Sequence, residues 1–152
     1  MKIERMEVVG IDVQDIDKAA RLFEDLLGIK FRHCRFGIDV MPQSGATQAD
    51  DPAAPDINSV RLAIDPTGYL ELVQTSPASV REGFRNMHFK VTDIEEAKAE
   101  LKAKGIRLIA DSHIGGLREA IFHPEDLHGI RLCLVQYDAD SMIDAIYQKP
   151  AS

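Results

Sequence analysis

Four short stretches hold the side chains able to move a proton or grip an anion. They are Asp12 in EVVGIDV, Glu71 in YLELVQ, His88 in NMHFKV and Arg131 in IRLCLVQY. Each alternates apolar and polar residues or carries a β-branched run, the pattern of a buried or half-buried strand. Alternate residues of a strand share a face and stand roughly 7 Å apart along it. One face then carries Val8, Gly10 and Asp12. A second carries Tyr69, Glu71 and Val73, a third Asn86, His88 and Lys90, and a fourth Arg131, Cys133 and Val135. A carboxylate next to an imidazole raises the imidazole pKa and selects its tautomer, which suits a general acid or base. Glu71, His88 and Asp12 are therefore the expected catalytic residues, with Asp12 and His88 in equivalent places of two facing strands. Arg131 is the expected anion clamp, and Tyr69, Asn86 and Cys133 complete the expected binding surface.

Plainer readings stand beside these. A histidine on a strand commonly holds one structural hydrogen bond, and Arg131 can pair with Glu71. His123 lies at the cleft rim or caps its turn, and His33, His113 and His128 lack ligand spacing. A third arrangement, His88 with Glu71 and Cys133, has the donor chemistry of a zinc site. Arg81, Arg85 and Lys90 lie where they can meet an acidic substrate.

These strands are positioned by a plan that occurs twice. Residues 86–106 read as strand, helix and glycine stop. Laying Val13-Gln14-Asp15-Ile16 over Val91-Thr92-Asp93-Ile94 shows the same grammar earlier in the chain, with Gly28-Ile29 answering Gly105-Ile106. Such internal repetition marks two copies of one unit. Asp15 is placed to cap the first helix, whose apolar stripe is Ile16, Ala19, Ala20, Phe23, Leu26 and Leu27. Asp93 and Glu96 form a capping box for the second, whose stripe is Ile94, Ala97 and Leu101. Asp65-Pro66-Thr67-Gly68 turns a hairpin. Met41–Asn58, with three prolines, is a long loop. LVQ ends a strand in each half, and the tail places Met142, Ile143, Ile146 and Tyr147 on one side of a short helix.

The expected order is βαβββ, linker, βαβββ and a C-terminal helix. That is an α+β fold with a first module over 1–75, a second over 76–137, and a helix and tail over 138–152. Two such sheets, each covered on one face, curl toward each other around a cleft.

Composition narrows the function classes. The 152 residues are 45% hydrophobic, with a net charge of −7. That balance excludes a disordered chain and argues against a nucleic-acid partner, which needs a basic face. No run approaches the ~18 apolar residues of a membrane span. The first residues lack a secretory core, so the expected location is cytoplasmic. Cys34 and Cys133 are expected as free thiols.

The tandem unit, V-x-D-I-x-x-A at each helix start, and Phe122-His123-Pro124 followed by Gly129 resemble the vicinal-oxygen-chelate superfamily. That group contains glyoxalases, ring-cleaving dioxygenases, bleomycin-binding proteins and methylmalonyl-CoA epimerase, the last being nearest in look. The resemblance runs from about Arg5 to Tyr137 and implies a glyoxalase-like curled sheet. It also implies a divalent metal held by one side chain from each of four strands. Those positions fall on Val8, Glu71, Asn86 and Cys133 here. One hard oxygen donor does not hold a divalent ion, so the expectation is a cleft with no metal and no other cofactor. The expected function is a metal-independent isomerase or lyase acting on a small anionic molecule, with Glu71 and His88 as base and acid. The alternatives are a sequestering ligand-binding protein and an epimerase with a displaced metal site. A homodimer is expected.

Overall fold

The computed structural model describes residues 1–41 and 60–149. The elements are β1 (Ile3–Asp12), α1 (Ile16–Leu27), β2 (Arg32–Arg35), β3 (Arg61–Ile64), β4 (Tyr69–Gln74), β5 (Gly83–Val91), α2 (Ile94–Ala103), β6 (Leu108–Ile114), β7 (Leu117–Phe122), β8 (Leu132–Gln136) and α3 (Met142–Tyr147). From position 42 on, the expected Met41–Asn58 loop lies outside the described residues.

The strands form one eight-stranded sheet in the order β2-β3-β4-β1-β5-β8-β7-β6. The two βαβββ units therefore lie side by side, as the repeat predicts. β1 pairs parallel with β4 and antiparallel with β5, and β5 pairs parallel with β8. The sheet is covered on one face by α1 and α2 and curls around its other face.

Local chemistry sets the helix ends. Asp15 Oδ1 accepts from the Lys18 backbone N–H (3.0 Å), and Gly28 stops α1 at φ 67°. Asp93 Oδ1 accepts from the N–H groups of Glu95 (2.9 Å) and Glu96 (3.1 Å). The Glu96 carboxylate meets the N-terminal ammonium instead of completing the capping box. The repeated LVQ has a purpose that its strand propensity hides. Gln74 Oε1 accepts from Ile16 N–H and Gln136 Oε1 from Ile94 N–H, both at 2.9 Å. Each glutamine satisfies one of the orphan donors at the start of its module's helix.

The α2 stripe packs as read, with Ile94, Ala97 and Leu101 buried. The α1 stripe is narrower than its spacing suggests. Ile16 and Ala20 are buried, while Leu26 and Leu27 are exposed, because Ile29 and Phe31 beyond the helix complete that cluster. A further apolar cluster lies on the concave side. There Ile143, Ala145 and Ile146 of α3 are fully buried with Phe36, Leu62, Val73, Ile114 and Leu117. Ser141 caps α3, and Gly116 N–H in the β6–β7 turn donates to Ala145 O at 2.8 Å. Of its expected apolar side, Tyr147 alone stays largely exposed, its hydroxyl donating to His33 O at 3.0 Å.

Candidate active site

Between α3 and the curled sheet is a cavity of about 60 Å³, room for a few waters or a small ligand. Glu71, Arg85, Asn86, His88, Ser112 and Glu119 supply its polar wall. Leu62, Val73, Ile121, Met142 and Ile146 supply much of its apolar wall.

His88 is 2% exposed. Its Nε2–H donates to Glu119 Oε2 at 2.9 Å, and Glu71 Oε2 lies 3.8 Å from the same nitrogen. Burial works against charge on the ring, but Cys133, Glu71 and Glu119 together outweigh it and raise the imidazole well above its ordinary value. Burial pushes the Glu71 carboxyl up and Glu119 adds to this, while His88 and Arg85 pull it down. Cys133 occupies the rung of β8 opposite His88. Its thiol is pushed up by burial, with His88 acting the other way.

Asn86 is also buried and sits opposite Gly10 of β1. Two buried polar atoms in this wall, His88 Nδ1 and Asn86 Oδ1, make no hydrogen bond to the described residues.

Asp12 and His88 do not form a pair. With Val13 laid over Val91, Gly10 is the counterpart of His88 and Asp12 the counterpart of Lys90. Asp12 therefore sits further along its strand, opposite Gly83. Its carboxylate accepts from Arg85 Nη1 at 2.8 Å. Arg131 is half-buried in the same neighbourhood. Burial and the charge of Arg85 oppose its own charge, while Cys133, Glu119 and Asp12 favour it. Tyr69 stands apart from the cavity wall and is 72% exposed. Its left-handed backbone, φ 81°, interrupts the strand alternation where the Asp65–Gly68 turn delivers the chain into β4.

Glu119 was missed from sequence. Its signal was a lone carboxylate sharing a period-two face with Leu117 and Ile121, a costly placement for a charge without a partner.

The family model for the Glyoxalase/Bleomycin resistance protein/Dioxygenase superfamily matches residues 5–134. The chain belongs to this superfamily. No curated protein matches it. Among solved structures, a Streptomyces coelicolor methylmalonyl-CoA epimerase variant in complex with 2-nitronate-propionyl-CoA is 21% identical, with a TM-score of 0.65. The match covers 92% of this chain and 99% of that one. The Mycobacterium tuberculosis methylmalonyl-CoA epimerase is 19% identical, with 90% of each chain covered and a TM-score of 0.62. Hypothetical protein BH1468 from Bacillus halodurans C-125 is 17% identical, with 89% and 95% covered and a TM-score of 0.64. At these identities the likeness is one of fold, and it supports the curled sheet read from the repeat and the glyoxalase-like form that the resemblance implies.

The superfamily's metal does not fit the four positions that the resemblance assigns to it. Val8 is 1% exposed within the apolar concave cluster and offers no donor. Asn86 is a weak donor, which leaves Glu71 and the Cys133 thiol. Among the described residues, no helix is long and apolar enough to cross a membrane.

Proposed function

We propose that the protein is an isomerase or lyase that moves a proton on a small anionic substrate held in the curled-sheet cavity. The observation that carries this reading is His88, buried and oriented by Glu119, with Glu71 on its other side. Glu71, whose burial favours the protonated form, is suited to accept a proton. His88, whose ring is biased toward the charged form by Cys133, Glu71 and Glu119 against its burial, is suited to return it. Arg85, fixed by Asp12, and Arg131 supply positive charge for a carboxylate or an enolate-like oxygen. Asn86 offers a polar contact to the substrate. No step is assigned to an ion at the superfamily's usual positions. Epimerase neighbours that hold CoA esters support the reaction class.

A second reading, sequestration of a ligand without turnover, is favoured by Val8 standing where the superfamily places a metal ligand. The proposal includes the cytoplasmic location expected from the sequence and a homodimer, the latter supported by the exposed Leu22, Leu26 and Leu27 on α1.

The test is proton exchange. A panel of small 2-substituted carboxylic acids and their thioesters is incubated with the protein in deuterium oxide and followed by proton NMR. Exchange at the carbon next to the carboxyl or thioester group, reduced ~10²-fold or more in Glu71→Gln, supports the isomerase or lyase. Saturable binding without exchange rejects it and leaves the sequestering protein.

A further inference from the structure

We propose that His88, Glu119 and Cys133 bind a divalent transition ion of the zinc class, with Glu71 beside them as a further oxygen donor. The imidazole, the Glu119 carboxylate and the Cys133 thiol each present a donor atom, and the three atoms lie within 4.8 Å of one another. Glu71 Oε2 is 3.8 Å from His88 Nε2. Donors on a tetrahedral zinc stand roughly 3.3–3.8 Å apart, so the set has to close by only about an ångström. Glu71 and Cys133 stand at two of the superfamily's four positions; His88 and Glu119 do not. His88 is one rung along β5 from Asn86, and Glu119 comes from β7, a strand that supplies none of the four.

Two independent observations point to a ligand here. The first is unsatisfied polarity. His88 Nδ1 and Asn86 Oδ1, on residues 2% and 5% exposed, lack a partner among the described residues and belong to the same cavity wall. Buried polar atoms left in that state are costly.

The second is convergence. Two carboxylates close on one imidazole, Glu119 at 2.9 Å and Glu71 at 3.8 Å, and the Cys133 thiol stands on the rung of β8 opposite that imidazole. A nitrogen, sulfur and oxygen donor set selects zinc or cobalt over magnesium or calcium.

The inference stands apart from turnover. An ion held there would supply an electrophile in place of the His88 proton, but its binding requires no reaction.

The experiment is a cobalt(II) titration of chelator-stripped protein, read by absorption. The expected result is a thiolate-to-cobalt charge-transfer band in the near ultraviolet, with visible bands of tetrahedral strength. These should saturate at one equivalent and be bleached by zinc. Cys133→Ser abolishes the charge-transfer band. Glu119→Gln, with its fold verified by circular dichroism, weakens cobalt binding at least about tenfold. Several outcomes overturn the proposal: no charge-transfer band in the wild type at saturating cobalt, a band that survives in Cys133→Ser, or unchanged affinity in Glu119→Gln. The deuterium-exchange assay is a separate readout, so failure of either reading is visible without the other.

Discussion

The side chain of Asn86 occupies the place a β-carbon would take on Gly10: such an atom would stand 1.9 Å from Asn86 Oδ1. The two residues face each other across the central β1–β5 pair, so one strand gives up its side chain to let the other lie across it. Gly10→Ala must displace Asn86 or the strands. The expected cost is about 1–3 kcal/mol, as for overpacking elsewhere. The urea midpoint should fall with an unchanged slope, and ligand or cobalt affinity should fall with it. Wild-type stability in Gly10→Ala would show that Asn86 is free to move away.

His88 stands between two carboxylates of the cavity wall, Glu119 at 2.9 Å and Glu71 at 3.8 Å. Removing the ring takes that partner from both. His88→Ala should lose about 3–5 kcal/mol, the range seen when one member of a buried ion pair is deleted. Chemical denaturation of His88→Ala beside Glu119→Gln is the check. A loss below 1 kcal/mol for His88→Ala would place water or an alternative cation between the carboxylates.

The glutamines that end β4 and β8 are expected to act alike. Gln136→Ala leaves the Ile94 N–H without its acceptor, and Gln74→Ala does the same to Ile16. Each should cost about 0.5–1.5 kcal/mol, with faster amide exchange confined to the first turn of the matching helix. Exchange spread evenly over the module would argue against a local capping role.

Acid sensitivity has a local source in the turn after β7. Arg107 donates through Nε and its backbone N–H to Asp126 Oδ2, both at 2.9 Å. These bonds hold the Asp126 carboxyl at about 2, against an ordinary value of 3.8. Folded Asp126 thus binds fewer protons than unfolded Asp126 between those values. Its contribution is present above about 3.8 and disappears as the pH falls through about 2. Arg107→Ala should lower the melting temperature at pH 5, and that difference should shrink toward pH 2. A difference that does not depend on pH would sink the assignment.

Sequence reasoning reached the fold because the repeat constrains it twice. Val13 over Val91 places both helices, and the helix caps, glycine stops and hairpin turn are local signals. Glu71, Asn86, His88 and Cys133 were also legible, since period two puts them on the faces that curl inward. The site failed to be legible where strand neighbours decide. Asp12 shares a face with Gly10, yet the β1–β5 register sets it opposite Gly83, and Arg85 takes its carboxylate. Tyr69 obeys the period on paper, but its left-handed backbone breaks the pleat. Glu119 comes from β7, separated from β5 by β8, and only sheet order brings it to His88. The exposed Leu26 and Leu27 follow from the same limit, because residues beyond α1 had already filled the space.

The position of β1 between β4 and β5 bears on synthesis. A ribosome that has emitted the chain only as far as Gln74 has made β1 and one of its neighbours. The other flank, destined for β5, is then a row of bare amides and carbonyls. Such a flank is a template for another strand. Two truncated chains ending there should join back to back through β1 and imitate with two molecules what the whole protein does with one.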